Sequence, residues 1–157
     1  MKLWRRSLQM LLGRRPAAMQ VGAICRDPVS GQVLLITSRD TGRWVIPKGW
    51  PMEGRTLAGA AAQEAWEEAG VRGRIADQEL GRYHYDKAQE QGFSVPVEVR
   101  VFLLSVDSRA ANFPEADQRQ ARWFTPAEAS DQVAEAGLKR ILISLKDLPL
   151  PDPSRPA

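Results

Sequence analysis

The sequence predicts a single α/β (α+β) domain in which a mixed β-sheet has helices packed on its faces. Three observations support this fold class. The chain has 157 residues, a length that suits one domain with one core. Runs of branched and apolar residues alternate with turns rich in Gly, Pro and Asp, as is typical of strands. Signals that start helices lie between these runs and after the last of them, so the predicted order is strands, helix, strands, helices.

The first predicted strands precede residue 50. Met19 to Arg26 contains small and branched residues, and the turn DPVSG separates it from a second, largely buried strand over Val33 to Ser38. After the turn RDTGR, the segment WVIP predicts a short strand. Pro47 should end that strand, because proline cannot donate a ladder hydrogen bond.

An alanine-rich helix follows these strands. Thr56 can cap its N terminus, and the helix is expected to continue to Ala69. Gly70 then supplies the C-terminal stop, because glycine readily adopts the left-handed conformation found at this position.

Two longer extended segments come next. Val71 to Tyr85 favours a strand, although its many polar residues leave its boundaries open. Phe93 to Val106 alternates between apolar and polar residues and then becomes fully apolar, so it should enter the core. Pro96 predicts that the first part of this strand lies at a sheet edge. The segment RWF, residues 122–124, predicts a last short strand.

The last quarter of the chain predicts helices. TPAEA begins one of them, with Thr125 as the cap, Pro126 at the first helical position and Glu128 completing a capping box. A further helix is expected from about Glu135 to Lys146.

The two ends of the chain differ in composition from the middle. The start, MKLWRRSLQMLLGRRPAAM, is basic, and its apolar run is short and contains Gln9. We therefore interpret residues 1–17 as a basic arm or amphipathic helix rather than a signal peptide. The domain is expected over residues 18–146, and the proline-rich residues 147–157 are expected to form a flexible tail.

Charge and composition narrow the class of protein. The net charge of +3 and the pI of about 9.3 favour anionic partners. The single cysteine, Cys25, allows no internal disulfide, which fits a reducing compartment, and we expect a cytoplasmic protein. No apolar run approaches the roughly 18 residues of a membrane span, so we expect no membrane partner.

Three glutamates lie close together on the alanine-rich helix. Because a helix turns by about 100° per residue, Glu64, Glu67 and Glu68 share one face, and we expect that face to point away from the core side. Like charges at this spacing repel each other by about 0.2–0.5 kcal/mol per pair. A hard divalent cation such as Mg²⁺ would offset the repulsion. The alternative interpretation is an acidic face that is simply solvated.

The loop before this helix favours the metal site over a solvated face. PKGWPMEG begins with a lysine, is rich in Gly and Pro, and follows a short strand. Gly49 allows a ligand to approach the backbone closely. A helix with metal-binding carboxylates beside such a loop is what binding a bridging diphosphate would need.

These residues resemble the Nudix box, Gly-x5-Glu-x7-Arg-Glu-U-x-Glu-Glu-x-Gly-U, in which U is a bulky aliphatic residue. Over residues 49–71 the matching positions are Gly49, Glu64, Glu67, Glu68, Gly70 and Val71. The departures are Arg55 for the first glutamate, Gln63 for the arginine and Ala65 for the first aliphatic residue. Because both members of the usual Glu–Arg ion pair are replaced together, we interpret the change as structural and compensated, with Gln63 keeping a neutral hydrogen bond.

The resemblance extends over about residues 18–146. The segments RWVIPKGWPMEG, YHYDK, VRVFLLSV and RWFTPAEA are similar to those of bacterial Nudix proteins akin to diphosphoinositol or diadenosine polyphosphate hydrolases. The resemblance implies a Nudix-type α/β/α sandwich. It also implies metal-dependent cleavage of a phosphoanhydride by water, with Mg²⁺ or Mn²⁺ as cofactor and a nucleoside or inositol diphosphate-linked compound as substrate.

The resemblance also assigns roles to residues of this chain. Glu64, Glu67 and Glu68 would bind the metal, with the Gly49 carbonyl as a further ligand. Glu64 and Glu67 are the catalytic candidates, and Glu64 is the first candidate for general base. Bases outside the box remain open, and the candidates for them are Glu98, Glu115 and Asp117.

Basic and aromatic residues are candidates for contacts with a small anionic diphosphate or polyphosphate substrate. The basic candidates are Lys48, Arg43, Arg39, Lys87 and Arg100. Trp44, Trp50, Tyr83, Tyr85 and Phe93 could stack on a nucleobase, although core packing explains most aromatic residues. His84 and Cys25 are interpreted as structural, because no His/Cys cluster suited to zinc is present in the sequence.

Two other classes of function stay open. A Nudix-like module that senses a phosphorylated ligand without cleaving it is favoured by Arg55 and Gln63 and opposed by the intact acidic face. A basic nucleic-acid-binding protein is suggested by the pI and the N-terminal arm, but the sequence lacks a recognition motif. We therefore do not expect nucleic acid as the partner.

Overall fold

The computed structural model of this protein describes residues 17–89 and 92–155. It contains one mixed β-sheet with helices on both faces. The strands are β1 Ala18–Arg26, β2 Val33–Thr37, β3 Trp44–Val45, β4 Lys48–Gly49, β5 Val71–Ala88, β6 Ser94–Arg109 and β7 Ala121–Phe124. The helices are α1 Leu57–Ala69, α2 Pro126–Gln132 and α3 Ala136–Ser144, followed by a 3-10 turn over Leu145–Asp147. The predicted arm over residues 1–17 lies outside the described residues except for Ala17.

The sheet forks beside β1, because β2 and β4 pair with different parts of this strand. The strand order is β3-β2-β1-β6-β5, with β1 parallel to β6 and antiparallel to β2. Pairing between β1 and β2 covers only Cys25 and Arg26, whereas β4 pairs with β1 at Val21 and Gly22. Elsewhere β2 pairs with β3 and β7. The two-residue strand β4 therefore sits in the opening between β1 and β2.

Two hydrophobic layers cover the two faces of the sheet. On one face, the alanines of α1 pack against β1 and β6, and Ala60, Ala61, Ala65 and Ala69 are fully buried. On the other face, α2 and α3 cover residues such as Ile24 and Val99. Small side chains let α1 approach the sheet closely. The predicted α/β/α sandwich with a mixed sheet is confirmed.

The predicted ends of the helices are also confirmed. The Thr56 hydroxyl accepts a hydrogen bond of 2.9 Å from the Gly59 backbone N–H, and Gly70 ends α1 in the left-handed conformation with a φ of 69°. At α2, Pro126 begins the helix directly after the cap residue Thr125, and Thr125 and Glu128 form the reciprocal capping box.

Element lengths differ from the prediction in three places. The strands β5 and β6 form a hairpin that extends past Tyr85 and Val106, because most of their polar side chains point to solvent from paired backbone. The last helix ends at Ser144 and tightens into the 3-10 turn.

Pro96 pairs only with Asp86 of β5, and pairing with β1 begins one residue later, as its predicted edge position requires.

The first residues after the 3-10 turn contact the domain. Arg26 Nη1 donates to the Leu148 carbonyl at 3.0 Å, and Leu148 packs against the α2–α3 side of the core. The division of the chain into residues 1–17, 18–146 and 147–157 stays a prediction. Among the described residues, no helix is both long and apolar enough to cross a membrane.

Candidate functional site

The carboxylate of Glu64 lies directly against the backbone of Gly49. A Cβ atom added to Gly49 would overlap this carboxylate, so the close approach depends on the missing side chain. Antiparallel pairing with Val21 of β1 holds Gly49 in place. The helix and the fork of the sheet thus bring together two residues that are fifteen positions apart in the chain.

Glu68 is buried, and the expectation that all three carboxylates point away from the core side is wrong for this residue. Only 7% of Glu68 is exposed. It lies within about 20° of Ala61 on the helical wheel, so it belongs to the buried stripe. Its Oε2 accepts a hydrogen bond of 3.2 Å from the Lys48 backbone N–H. The strand β4 therefore satisfies one oxygen of a carboxylate that is almost fully buried.

Arg119 holds two acidic residues together and was not singled out by the sequence. Its Nη2 lies 3.3 Å from Glu68 Oε1 and 3.0 Å from Glu115 Oε1, and its Nη1 donates to the Thr37 carbonyl at 3.0 Å. Only 9% of the Arg119 side chain is exposed. The guanidinium group thereby joins α1, the end of β2 and the loop before β7.

The loop between β6 and β7 is docked on the end of α1 by its backbone. The Glu115 N–H donates to the Glu67 carbonyl at 2.9 Å, and the Ala110 N–H donates to the Gly70 carbonyl at 2.9 Å. These bonds satisfy carbonyls that a helix end leaves without partners. They also place Glu115 beside the glutamates of α1.

Burial, together with neighbouring carboxylates, raises the pKa values of Glu64 and Glu68. Burial, followed by the charges of Glu68, Glu67 and Glu115, raises the pKa of Glu64 to about 7. Burial also raises the pKa of Glu68 to about 6, although Arg119 and the Lys48 N–H oppose this change. Both carboxylates therefore hold a proton to higher pH than a solvated glutamate does.

Glu67 lies at the side of this group. Its Oε1 accepts a hydrogen bond of 3.1 Å from Gln63 Nε2, one helical turn earlier. Gln63 thus keeps a hydrogen bond, but its partner is the Glu67 carboxylate and not a neutral group. Arg55 is exposed, and it is not among the residues that line the cavity beside Glu64.

A polar cavity of about 250 Å³ opens beside Glu64 and Glu68. The residues that line it are Gln20, Ser38, Arg39, Asp40, Lys48, Gly49, Trp50, Glu64, Glu68, Tyr85, Lys87, Glu115 and Arg119. Of the five basic residues predicted to contact substrate, Arg39, Lys48 and Lys87 meet here. The cavity lies at the fork of the sheet, where β1, β4 and α1 approach one another.

Arg43 and Arg100 do not line this cavity. The Nε of Arg43 donates to Thr41 Oγ1 at 3.3 Å in the turn before β3. The side chain of Arg100 borders a different depression, together with Glu79 and Phe102. Arg100 lies on the surface of the hairpin rather than at the fork of the sheet. The expectation that it reaches the same cleft as Lys48 is therefore wrong.

The three candidate bases outside the box separate clearly. Glu115 lines the cavity. Glu98 lies on the β5–β6 hairpin, where its Oε2 is 3.1 Å from His84 Nε2. Asp117 borders a separate depression with Gly42 and Gln120. Of these candidates, only Glu115 is placed where it can act with Glu64.

The aromatic candidates also differ in position. Trp50 is 48% exposed and lines the cavity, as does Tyr85, whose hydroxyl donates to Gln20 Oε1 at 2.7 Å. Tyr83 is buried in the core, and Trp44 packs edge-to-face against Phe124. Phe93 is exposed on the hairpin loop, away from the cavity-lining residues.

The donor atoms of the site suit a hard divalent cation. Mg²⁺ takes oxygen ligands and is held by a few carboxylates together with substrate phosphates. Glu64, Glu67, Glu68 and Glu115 supply such oxygens, and the Gly49 cradle leaves room for one of them. As the side chains lie, no three acidic, histidine or cysteine groups within residues 17–89 and 92–155 converge on one point. The chemistry of the residues fits a metal whose coordination substrate oxygens would complete.

A family model described as NUDIX domain matches residues 16–145 of the chain. Nudix hydrolase 16, mitochondrial, from Arabidopsis thaliana is 35% identical over 115 residues, which are 71% of this chain and 63% of that protein. A MutT-like protein from Streptomyces ambofaciens is 28% identical over 124 residues, 79% of this chain and 73% of that protein. The chain spans from 46% to 63% of the length of three Arabidopsis relatives that it matches.

Solved structures share the fold at low sequence identity. An Ap4A hydrolase from C. elegans has a TM-score of 0.61 and 18% identity, covering 83% of this chain and 96% of its own. The dihydroneopterin triphosphate pyrophosphohydrolase of E. coli has a TM-score of 0.63 and 15% identity, covering 81% and 95%. These similarities show that the layered fold extends over most of the chain.

Proposed function

The chain belongs to the Nudix family, and from this premise we propose that it is a metal-dependent pyrophosphohydrolase. It would use water to cleave the phosphoanhydride of a small nucleoside or inositol diphosphate-linked substrate. The proposal includes a cytoplasmic location, which is supported by the single cysteine, Cys25, buried in β1 as an unpaired thiol.

One observation carries the proposal: a single cavity combines the acidic group of α1 with the Gly49 cradle and three basic side chains. Glu64 and Glu68 lie at one side of it, and Lys48, Arg39 and Lys87 line other parts of its wall. Carboxylates alone would repel a diphosphate. Cations bound to the carboxylates, together with basic side chains, would attract it.

Mg²⁺ or Mn²⁺ is the proposed cofactor. Glu64, Glu67 and Glu68 would hold it, with the Gly49 carbonyl and Glu115 as further oxygen donors. When bound, such an ion neutralises non-bridging phosphate oxygens and lowers the pKa of water. The chain's own contribution is to hold these oxygens on a rigid helix whose buried alanines fix its distance from the sheet.

Glu64 is the proposed general base. It would take a proton from the attacking water while the water oxygen forms a bond to phosphorus. The bond between that phosphorus and the bridging oxygen breaks, and the leaving phosphate takes the electron pair. Glu115, which lines the same cavity, is the second candidate for the base.

Basic residues would orient the anionic substrate. The Lys48 ammonium lies 5.3 Å from the centre of the Tyr85 ring, a cation–π contact that aligns it along the cavity wall. Arg39 is partly engaged, because its Nη1 donates to Gln118 Oε1 at 2.7 Å. Lys87 lies on β5, two residues after Tyr85, and is half-buried in the cavity wall.

The proposal is tested by measuring phosphate or nucleotide release from nucleotides, dinucleoside polyphosphates and inositol pyrophosphates. Release is expected with Mg²⁺ or Mn²⁺ and should be abolished by EDTA, by Glu67→Gln and by Glu68→Gln. Glu79→Gln is the matched control, because Glu79 lies on the hairpin and pairs with Arg82 at 2.9 Å. Turnover that persists in EDTA, or in the Glu68→Gln variant, would contradict the proposal.

A sensor that binds a phosphorylated ligand without cleaving it is the second candidate. It is favoured by Arg55 and Gln63, which replace two residues of the usual box. The same panel separates the two functions. Metal-dependent binding of a substrate, measured by calorimetry, without release of product over many hours would favour the sensor.

A further inference from the structure

A second depression lies between α1 and the start of β5, and we propose that Arg55 and Arg72 bind the phosphate group of a small anion there. The depression shares no lining residue with the cavity beside Glu64, so the inference goes beyond the proposed function. It depends on the charge of the depression, on the way Arg72 is held and on the donors that surround the space.

The depression has a volume of about 270 Å³ and a mixed wall. Val71 and Leu104, which are buried, supply apolar parts of the wall, and Arg55, Gln63 and Arg72 supply polar groups. Arg55 and Gln63 are two of the positions at which the chain departs from the Nudix box. Because pockets for drug-sized ligands have volumes of about 300–1,000 Å³, this depression suits a smaller ligand.

The charge of this depression is positive. Arg55 and Arg72 line it, and no acidic residue of the described chain does so. Within residues 17–89 and 92–155, neither guanidinium group makes an ion pair or a hydrogen bond. A phosphate monoester carries about −1.5 to −2 charges near neutral pH, which the two guanidinium groups would balance.

Trp66 holds the guanidinium group of Arg72 in one orientation. The guanidinium carbon lies 3.8 Å from the centre of the indole ring, where the electrons of the ring attract a cation. Stacking uses the flat face of the guanidinium group and leaves its edge, which carries the N–H donors, available for oxygen atoms. Because the stack restricts this side chain before a ligand arrives, less conformational entropy is lost on binding.

An irregularity in β5 directs Arg72 toward α1. The pairing of β5 with β6 shifts register between Arg72 and Gly73, and a shift of this kind changes the direction of a side chain. Both residues line the depression, although neighbours in a regular strand face opposite sides of a sheet. A Cβ atom on Gly73 would overlap the Ser105 carbonyl, so glycine is needed for this close approach of the two strands.

Gln63 supplies a neutral donor to the same depression. Its side-chain amide has two N–H groups, of which one donates to Glu67 at 3.1 Å, so the other is available to a ligand. Donors thus come from the loop before α1, from α1 and from β5. A tetrahedral phosphate can accept hydrogen bonds from several directions, whereas a carboxylate offers two oxygens in one plane and a single charge. The arrangement therefore favours phosphate over carboxylate.

The test is a titration of the full chain with inorganic phosphate in EDTA, followed by ¹H–¹⁵N NMR. The signals of the Trp66 indole N–H and the Gly73 amide should shift and saturate. Arg55→Gln and Arg72→Gln should each weaken phosphate binding roughly 10- to 100-fold, the effect of losing a hydrogen bond to a charged group. Arg74→Gln is the matched control, because Arg74 is exposed on the same strand but does not line the depression. It removes the same charge and should leave the affinity unchanged.

Two further probes define the chemistry of the ligand. Glycerol 3-phosphate presents the phosphate group as a monoester, and tighter binding of this compound than of inorganic phosphate would identify a small phosphorylated metabolite. Tighter binding of inorganic phosphate would identify the free ion. Acetate carries a single charge and should bind at least about tenfold more weakly than either phosphate compound. Equal affinity for acetate would overturn the assignment to phosphate.

Three other results would overturn the inference. The first is a phosphate titration that shifts neither the Trp66 nor the Gly73 signal to saturation. The second is an equal loss of affinity in Arg55→Gln and Arg74→Gln, which would show general attraction to a basic protein. The third is binding that is lost in Lys48→Gln but retained in Arg72→Gln, which would place the anion in the cavity. The titration needs neither metal nor substrate, so its outcome is independent of whether the protein cleaves a phosphoanhydride.

Discussion

Two clusters of Glu and Arg residues lie in this protein, one buried beside the cavity and one on the β5–β6 hairpin. In the buried cluster, the side chains of Arg119 and Glu68 are each 9% exposed and lie 3.3 Å apart. In the hairpin cluster, Arg82 is 47% exposed and contacts Glu98, which is 24% exposed, at 3.5 Å. The residue types are alike, but their surroundings differ.

The comparison shows that burial, more than pairing, decides what a carboxylate can do. On the hairpin, each glutamate is only partly buried and has basic neighbours that are more exposed, so its pairing contributes little to stability. In the cavity, burial removes solvent, and several carboxylates share too few cations, so each partner is needed. Chemistry is therefore expected from the buried cluster, while the hairpin cluster is expected to have no role in catalysis.

Among the tests of this difference between the two clusters, the largest expected effect is on turnover. Glu64→Gln should lower kcat by roughly 10²- to 10⁴-fold, because a general base would be lost. Glu98→Gln should leave kcat unchanged, since Glu98 does not line the cavity. Steady-state kinetics with Mg²⁺ checks both variants. Equal losses in the two variants would remove the functional distinction between the clusters.

The next effect is on stability. Arg119→Gln should reduce the free energy of unfolding by about 3 kcal/mol, because Glu68 and Glu115 would be left without their shared cation in a buried setting. Arg119→Lys, which keeps the charge but not the forked contacts, should lose less. Urea unfolding measures both values. A loss below about 1 kcal/mol for Arg119→Gln would mean that this pair behaves like a surface pair.

The two clusters should also show opposite dependence on pH. The pKa of Glu64 is raised from 4.5 to about 7 in the folded protein, which therefore binds more protons than the unfolded chain between these values. Without metal, the stability that Glu64 contributes is fully present below pH 4.5 and is lost as the pH rises through 7. Thermal unfolding in EDTA from pH 5 to 8 checks this trend, and Glu64→Gln should flatten it.

Glu98 provides the contrast when the same measurement is extended to acid pH. Burial raises its pKa, but hydrogen bonds from His84 and Arg100 and the charge of Arg82 outweigh this effect, so the pKa is lowered from 4.5. Its contribution to stability is present above pH 4.5 and is lost as the pH falls through the lowered value. Glu98→Gln should therefore lower the stability by a constant amount above pH 4.5, and its difference from the wild type should vanish as the pH falls through the lowered pKa. A difference that grows toward acid pH would contradict this assignment.

The smallest effect is expected from Arg82→Gln. The ion pairs of Arg82 are exposed, so the loss of unfolding free energy should be below about 1 kcal/mol at low salt. At 1 M NaCl, where the Debye length falls to about 3 Å, the loss should disappear. Urea titrations at two salt concentrations measure the difference. A loss that persists at high salt would show that the arginine contributes through packing.

Local signals explain why the ends of the elements were predictable from sequence. Thr56, Gly70 and the Thr125 capping box act within one helical turn, so their effects depend only on residues close to them in the sequence. The strand β4 escaped prediction because two residues in a Gly- and Pro-rich loop have no period. Only the gap left by β2 makes them a strand.

The candidate site was predictable in part for the same reason. The spacing of Glu64, Glu67 and Glu68 follows from helix geometry, and Gly49 follows from the motif. Arg119 could not be found in this way, because its contacts join it to residues that are 51 and 82 positions away, Glu68 and Thr37. The displacement of Arg100 from the cavity likewise depends on which surface of the hairpin it occupies.

The sequence by itself determined the order of the elements, the ends of the helices and the carboxylates on one helix, because these depend on contacts within a few residues. The tertiary structure decided which charges share a cavity, which carboxylate is buried and which indole stays exposed. Those properties depend on how the sheet forks and how a distant loop docks. Packing sets the solvent around each group, and solvent sets the cost of its charge.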